Sequence, residues 1–171
     1  FAGGSTGWGR LIAHEIEARD PVGVWEMSPI GKRYWATRGG GAFVSAGGAR
    51  EARLAVSDTA ELAAARCFVP PALWVRTDAA RAMSRAVSAA TLSYEQDEHP
   101  ALEIALGSAD LCVFFMAGAW DLAAPSLVVE EAGGRFTDLA GGRTLTGGAV
   151  FSNGRVHDAA VGLLRQARKA G

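Results

Sequence analysis

The sequence has few cysteines and no excess of charge of either sign. Its 171 residues include two cysteines, and 17 basic residues against 18 acidic ones leave a formal net charge of −1. Cys67 and Cys112 lie in apolar runs, a setting typical of reduced, buried thiols, and no cysteine spacing indicates a zinc site. Because the chain has no broad basic surface, we expect no nucleic-acid partner.

Long hydrophobic runs are also missing. Apolar residues make up 49% of the chain, but no stretch approaches the roughly 20 residues that a membrane-spanning helix requires. No charged-then-apolar leader comes first, and the chain begins at Phe1 without a recognisable folded N-terminal element. We therefore expect a cytoplasmic protein that does not bind membranes.

Short apolar runs separated by turn residues fill the first half of the chain. Residues 10–17, 22–27 and 32–37 predict three strands, and Asp20-Pro21 predicts the turn between the first two. Such short connections are typical of an antiparallel meander. The glycine run after Arg38 predicts a tight chain reversal, because a phosphate-binding loop would need a strand before it and a helix after it.

Strands and helices alternate in the second half. We expect strands at residues 67–69, 91–94, 110–115, 135–138 and 150–151. We expect helices at residues 78–90, 101–106, 122–132 and 157–169. This alternation predicts a layered α/β arrangement.

Asp121 lies at the expected start of the helix at 122–132. Pro125 fits best in the first turn of a helix, so the helix should begin close to Asp121. Free N–H groups and the helix dipole stabilise an ionised carboxylate there and favour a phosphate nearby. Trp120 is expected to pack and to fix the direction of the carboxylate. From the residues alone, Asp121 is either a helix cap or a ligand.

Residues 119–138, AWDLAAPSLVVEEAGGRFTD, resemble the second signature of the inositol monophosphatase family, which belongs with fructose-1,6-bisphosphatase to a superfamily of magnesium-dependent phosphatases. The spacing from Trp120-Asp121 to Glu131 and on to Gly133-Gly134 is matched without a gap. The resemblance implies that Asp121 is a Mg²⁺ ligand. It also implies that Glu131 and the two glycines end the helix and turn the chain into the next strand.

The likeness extends over the whole chain. The hairpin at 29–43 and the turns at 107–110 and 152–154 resemble family segments, and Phe1 followed by Gly4 resembles the end of the family's first, acidic metal-binding loop. The resemblance implies a layered α/β/α/β/α sandwich of the inositol monophosphatase type that lacks its N-terminal helices and first strands. Residues 1–66 would be the remainder of the N-terminal lobe, with its antiparallel hairpins. Residues 67–171 would form the C-terminal α/β lobe with the Trp-Asp metal motif.

The resemblance implies a Mg²⁺-dependent phosphomonoesterase that hydrolyses a small phosphate monoester through metal-activated water, and a homodimer. Such a site needs several oxygen ligands, and this chain supplies one of the family's carboxylates, Asp121. No residue of this chain is assigned as the catalytic base. We therefore expect the parent protein to be the enzyme and this chain alone to be inactive.

Two departures from the family concern the substrate. Phe114 stands where inositol phosphatases carry a glutamate that binds a substrate hydroxyl, which weakens selectivity for inositol. The loop at 95–97 is bulkier and more acidic than the family's small turn. Asp97 and His99 are therefore candidates for substrate contact, with a solvated side chain as the alternative for His99. Glu103 is expected on the solvent face of a helix.

Three alternatives remain open. The segment GRFTDLAGG and its surroundings resemble the bacterial histidinol-phosphate phosphatases of the same family, and an acidic loop would suit a cationic substrate. A sugar or nucleotide phosphate is a further possibility within the family. From another class, the chain would be a catalytically inactive module for dimerisation or regulation, because the first metal motif is absent from it.

Overall fold

The structure is a computed structural model that describes residues 9–16, 19–27, 31–47, 51–70, 75–95 and 99–170. The interpretations that concern Phe1, Gly4 and Asp97 lie outside these residues. No helix in the described ranges is long and apolar enough to cross a membrane.

The first sheet is an antiparallel meander, as the spacing of turn residues predicts. Its strands follow one another in chain order. They are β1 (Arg10–Ile16), β2 (Arg19–Met27), β3 (Lys32–Thr37), β4 (Gly41–Ala46) and β5 (Ala52–Arg53). The chain reversal after Arg38 is also confirmed, since a turn there joins β3 to β4. Alternate residues of the central strands, such as Trp25 and Tyr34, are buried on one face.

The turn expected at Asp20-Pro21 is wrong, because both residues lie inside β2. The pairing of β2 with β3 begins only at Val22, so residue 21 faces no β3 partner. On the other side, the pairing with β1 shifts register between His14 and Ile16. A proline at such an irregular strand end removes no regular ladder hydrogen bond, which is why the strand tolerates it.

The second sheet is mixed and has the order β7-β6-β8-β10-β9. Its strands are β6 (Arg66–Phe68), β7 (Leu92–Ser93), β8 (Leu111–Ala117), β9 (Arg135–Asp138) and β10 (Gly147–Ser152). Strand β6 runs parallel to both of its neighbours, whereas β10 is antiparallel to β8 and β9. All five strands expected in this half are present, with ends that differ by a few residues.

Four helices complete the described structure. They are α1 (Asp78–Ala90), α2 (Pro100–Ala105), α3 (Ala119–Glu131) and α4 (His157–Ala170). Helix α3 contacts strands of both sheets and also α2, while α1 and α4 pack against each other on the outer face of the second sheet. The described residues therefore form sheet, helix, sheet and helix layers, and the α/β class is confirmed. The division into lobes at 1–66 and 67–171 stays a prediction.

Helix α3 begins earlier than its proline indicates. The helix starts at Ala119 rather than Leu122, so Pro125 lies in its second turn instead of its first. Pro125 cannot donate to the carbonyl of Asp121, and a proline there costs roughly 3 kcal/mol or more in an exposed helix. The helix is buried between two sheets, with Leu122, Leu127 and Val128 fully buried, and this packing outweighs the local cost.

Strand β8 separates two apolar cores. Cys112 faces the core between the sheets, and Val113 faces the core beneath α1 and α4. Cys67 and Cys112 are both buried and free, as their apolar surroundings predict. Burial raises the pKa of Cys67 to about 12, so its thiol stays protonated.

A buried carboxylate joins the two halves of the chain. Asp110 has no exposed surface, and it accepts hydrogen bonds from the backbone N–H of Arg66 at 2.7 Å, from Arg66 Nε at 3.1 Å and from Ser57 Oγ. Burial alone would raise the pKa of Asp110, but these hydrogen bonds outweigh burial and hold the pKa below its ordinary value. The ionised carboxylate is therefore a structural element of the fold.

Replacing this carboxylate tests its weight. We expect Asp110→Asn to lower the free energy of unfolding by about 2–3 kcal/mol, because the amide cannot accept all of these hydrogen bonds. Asp158→Asn is the matched control, since the Asp158 side chain is 84% exposed in its ion pair with Arg135 and should matter by less than about 0.5 kcal/mol. Equal effects in urea unfolding would contradict the structural role of Asp110.

The first residue of α4 is a buried histidine. His157 has no exposed surface; its Nδ1 is 2.8 Å from Ser152 Oγ and its Nε2 is 3.0 Å from Thr137 Oγ1. Burial, together with the positive charge of Arg135, lowers the pKa of His157 from 6.5 to about 4. The folded protein therefore holds this imidazole in its neutral form.

The lowered pKa predicts acid sensitivity. Between the unfolded pKa of 6.5 and the folded value of about 4, only the unfolded chain binds the proton. His157 makes its full contribution to the free energy of unfolding above pH 6.5. That contribution falls by up to about 3 kcal/mol as the pH falls to 4. Urea midpoints measured from pH 7.5 to 4.5 should fall less steeply in His157→Gln than in the wild type. His14→Gln, at an exposed position of β1, should keep the wild-type slope.

Candidate active site

Asp121 lies in the first turn of α3, the helix that directly follows β8. Its Oδ2 accepts a hydrogen bond from the backbone N–H of Gly118 at 3.0 Å, and the Asp121 N–H donates to the Gly118 carbonyl. The side chain is exposed, and no described residue donates to Oδ1. Asp121 therefore acts as a helix cap through one oxygen and keeps the other available for a ligand.

Trp120 does not pack into the core as expected, since 78% of it is exposed. Its ring lies over Gly118 instead, where an added Cβ would come within 2.4 Å of a ring carbon. Trp120 also lines a cavity of about 430 Å³ together with Leu11, Ile12 and small residues of α3. The close approach explains why a glycine precedes this helix, a requirement that the sequence interpretation missed.

Three aromatic rings from separate elements meet beside the start of α3. The ring centroid of His99 lies 4.5 Å from that of Trp25 on β2, in an edge-to-face arrangement, and 5.7 Å from that of Phe114 on β8. Phe114 in turn contacts Phe151. The structure thus brings the candidates His99 and Phe114 together, and it adds Trp25, which no motif in the sequence singles out.

His99 caps α2 and responds to the charge of Asp121. Its Nδ1 accepts a hydrogen bond from the backbone N–H of Ala101 at 3.3 Å. Burial lowers the pKa of His99 to about 4, while the negative charge of Asp121 acts in the opposite direction. The imidazole is therefore neutral near pH 7 and lies within electrostatic reach of the candidate metal ligand.

A second cavity, of about 250 Å³, lies along the end of β8. It is lined by Pro70, Arg76, Phe114, Phe115 and Met116. Phe114 thus connects this cavity to the ring of His99. Four of these five lining residues are apolar and the fifth is Arg76, a composition that suits a flat or apolar part of a ligand better than a polyol.

The far end of α3 anchors the hairpin of β3 and β4. Both carboxylate oxygens of Glu131 accept backbone hydrogen bonds, from Gly39 at 2.9 Å and from Gly41 at 3.0 Å. The helix ends at Glu131, and Gly133 follows with a φ of 96°, which favours glycine. An added Cβ on Gly134 would lie 2.5 Å from the Ser152 carbonyl oxygen, so the chain needs a glycine there.

Glu130 forms a second polar junction at the same end of α3. It pairs with Arg38 from the turn after β3, at 2.8 Å, and with both terminal nitrogens of Arg143 from the loop before β10. Burial raises the pKa of Glu130, but the two guanidinium groups outweigh it and hold the pKa below its ordinary value. The C-terminal end of α3 is therefore fixed by neighbours on both sheets.

The expectation that Glu103 faces solvent is wrong. Only 4% of Glu103 is exposed, and its carboxylate accepts hydrogen bonds from Tyr94 Oη at 3.1 Å and from Ser108 Oγ. All six residues of α2 are buried because the helix lies between the two sheets, so it has no solvent face. Glu103 holds β7 and the turn after α2 together and does not belong to the candidate site.

The described residues can supply one of the ligands that a magnesium site needs. Magnesium in phosphate-processing sites is typically held by one or two carboxylates, substrate oxygens and water. Asp121 offers an exposed carboxylate oxygen of the right kind. Across the described ranges, no group of three or more His, Cys, Asp or Glu side chains is placed to hold a metal ion. Further ligands would therefore have to come from elsewhere in the complete protein, from substrate or from water.

The layered architecture and the carboxylate at the start of α3 match a known class of phosphatases. The sequence model of the inositol monophosphatase family matches residues 11–170. The chain belongs to the inositol monophosphatase family.

Curated relatives include histidinol-phosphatases. The one from Mycobacterium tuberculosis is 37% identical over 161 residues, which are 92% of this chain and 62% of that protein. The one from Streptomyces coelicolor is 36% identical, over 93% of this chain and 62% of that protein. A Streptomyces griseus protein named glucose-1-phosphate thymidylyltransferase is 30% identical, over 96% of this chain and 63% of that protein. The chain thus spans less than two thirds of these relatives.

Solved structures show the same fold at lower identity. An inositol monophosphatase from Zymomonas mobilis superposes with a TM-score of 0.80 at 20% identity, covering 96% of this chain and 65% of that one. Inositol monophosphatase II from Staphylococcus aureus superposes with a TM-score of 0.79 at 16% identity, covering 94% of this chain and 60% of that one. These similarities support the fold expected from the sequence.

The anchoring role of Glu131 predicts a loss of stability without a loss of chemistry. Glu131→Gln should lower the free energy of unfolding by about 1–2 kcal/mol, since an amide cannot accept from both glycine N–H groups. Turnover of the complete protein should stay within about twofold, because ten residues of helix separate Glu131 from Asp121 by about 15 Å. Urea unfolding and steady-state kinetics measure the two effects.

Glu61→Gln is the matched control for this prediction, because Glu61 is exposed and makes no side-chain capping bond. It should change neither quantity. A large loss of turnover in Glu131→Gln at unchanged stability would assign Glu131 to the chemistry instead of the scaffold.

Proposed function

We propose that the complete protein is a Mg²⁺-dependent phosphomonoesterase, in which Asp121 is one ligand of the metal. The observation that carries the proposal is the exposed carboxylate of Asp121, which uses Oδ2 as a helix cap and leaves Oδ1 without a described donor. Family membership supports a phosphatase. When bound, magnesium would stabilise charge on the phosphate and activate the attacking water.

The residues of this chain have three roles in the proposal. Asp121 holds the metal, and the start of α3 supports a phosphate nearby through its dipole. His99 and Phe114 contact the alcohol half of the substrate, and Asp97 is proposed for the same part of the site. The catalytic base is proposed to lie outside this chain, so this chain alone is proposed to be inactive.

Histidinol phosphate is the substrate that we favour. Two curated relatives at 36–37% identity are named histidinol-phosphatases. The Phe114 side chain cannot accept a hydrogen bond from an inositol hydroxyl, and its ring, which packs beside His99, offers an aromatic surface that suits a flat imidazole. A homodimer is part of the same proposal and rests on the family resemblance, and a cytoplasmic location is proposed from the sequence features described above.

Two alternatives have support of their own. A sugar or nucleotide phosphate fits the Streptomyces griseus relative, whose name specifies glucose 1-phosphate. An inactive, dimerising or regulatory module fits the observation that no group of three or more His, Cys, Asp or Glu side chains in the described ranges is placed to hold a metal ion. A phosphate-release panel on the complete protein, with and without Mg²⁺, separates them. Magnesium-dependent turnover excludes the inactive module, and the preferred ester identifies the substrate class.

Asp121→Asn tests the metal assignment. The amide keeps the hydrogen bond from the Gly118 N–H, so the midpoint of thermal unfolding should change little. Because a neutral amide oxygen is a weaker magnesium ligand than a carboxylate, turnover of histidinol phosphate should fall at least about 100-fold. Steady-state kinetics across a magnesium titration provide the measurement.

Asp78→Asn provides the matched control, because Asp78 is also an exposed carboxylate in the first turn of a helix, α1. It should leave turnover unchanged. If Asp121→Asn kept near-wild-type turnover and the same magnesium requirement, Asp121 would be a structural cap and the proposed metal site would be wrong.

A further inference from the structure

The glycine before α3 is required by a neighbouring side chain and not by its own backbone conformation. Gly118 has a φ of −92° and a ψ of 166°, values that any residue can adopt. An added Cβ, however, would lie 2.4 Å and 2.5 Å from two ring carbons of Trp120. The indole therefore packs directly on the bare α-carbon of Gly118, and a larger residue there would displace the ring.

Gly118 is also the residue that holds the candidate metal ligand. It is the single residue between the end of β8 at Ala117 and the start of α3 at Ala119. Its N–H donates to Asp121 Oδ2 at 3.0 Å, and its carbonyl accepts from the Asp121 N–H at 3.0 Å. The direction of the Asp121 carboxylate therefore depends on the orientation of the Gly118 N–H.

A glycine in this position needs a contact from outside to stay in one orientation. Glycine has more backbone freedom than any other residue, because it has no side chain of its own to restrict it. The three atoms nearest to a Cβ at Gly118 all belong to Trp120. Since 78% of Trp120 is exposed, its packing on Gly118 contributes more to local geometry than to overall stability.

We propose that Trp120 is a positioning residue for the metal: its indole covers Gly118 and so restrains the N–H that orients the Asp121 carboxylate. This inference rests on the proposed function and adds to it a residue that acts through Gly118. Magnesium demands near-ideal octahedral geometry, so a carboxylate that is already oriented binds it more tightly than a mobile one. Removing a group that orients a metal ligand typically lowers metal affinity roughly 10- to 100-fold.

Trp120→Ala in the complete protein is the direct test. The Mg²⁺ concentration for half-maximal turnover of histidinol phosphate should rise about 10-fold, while kcat at saturating Mg²⁺ should fall less than about threefold. The midpoint of thermal unfolding should change little, because the ring is mostly exposed. Trp120→Phe keeps a ring that can cover Gly118, so it should retain most of the wild-type affinity for Mg²⁺.

Ile12→Ala is the matched control for the loss of apolar surface. Ile12 lines the same cavity as Trp120 and is 63% exposed, but its atoms are not among those nearest to Gly118. The substitution should leave the Mg²⁺ requirement unchanged. An equal rise in this requirement for Ile12→Ala and Trp120→Ala would assign the effect to the cavity and overturn the inference.

Gly118→Ala tests the contact itself, alone and combined with Trp120→Ala. Alone, the added methyl group displaces the indole, so the Mg²⁺ requirement should rise about as much as in Trp120→Ala. In the Trp120→Ala background the methyl group meets no ring, so the double variant should need no more Mg²⁺ than Trp120→Ala does. Additive losses would show that the two residues act separately and would overturn the inference.

Hydrogen exchange reports the restraint without metal or turnover. In the metal-free wild type, NMR should show the Gly118 amide protected by its bond to Asp121, and Trp120→Ala should speed its exchange at least about fivefold. Wild-type exchange in Trp120→Ala, or an unchanged Mg²⁺ requirement, would overturn this inference alone. A wild type without Mg²⁺-dependent hydrolysis would overturn the proposed function and, with it, the metal-positioning role of Trp120.

Discussion

The burial of helix α3 between two sheets is the constraint on which the rest of the structure depends. A helix that contacts a sheet on each side must be apolar on nearly all sides, and α3 buries Leu122, Leu127, Val128 and Val129. Its polar groups are therefore confined to the two ends. One end carries Asp121, and the other carries Glu130 and Glu131, so the same packing that stabilises the fold also exposes the candidate metal ligand at a fixed place.

The two ends of α3 have different roles. Glu131 accepts backbone hydrogen bonds from the turn between β3 and β4, and Glu130 pairs with the guanidinium groups of Arg38 and Arg143, so both carboxylates at this end anchor the helix. Asp121 is capped through a single oxygen. Because the C-terminal end is held in place, the position of the carboxylate at the N-terminal end is held as well. The motif around Trp120 thus combines a structural anchor and a candidate ligand on one rigid element.

Local signals allowed much of the fold to be predicted. The ends of β3, α1 and β9 match their expected limits because turns, a capping Thr77 and the glycines after α3 mark them in the sequence. Predictions failed where tertiary packing overrode a local rule. Pro125 sits in a second turn because α3 is buried, and Pro21 sits in β2 because its partners are irregular there.

The candidate site was only partly predictable for a similar reason. Asp121, His99 and Phe114 were identified from motif spacing and from departures within it, and this part of the assignment needed no contacts. Trp25 belongs to another sheet, and nothing local in its strand indicates that its ring meets His99. The exposure of Trp120 was missed because an aromatic residue in a helix that is otherwise buried is usually buried too. The contact of Trp25 with His99 and the exposure of Trp120 both depend on how distant segments pack, which local sequence patterns do not show.

The central claim is that a metal ion binds at the start of α3. Anomalous diffraction from crystals of the complete protein soaked with Mn²⁺, a substitute for Mg²⁺, tests it most directly. The account predicts a metal peak about 2.1–2.2 Å from a carboxylate oxygen of Asp121. A peak at other side chains, with Asp121 making only its hydrogen bond to Gly118, would contradict it.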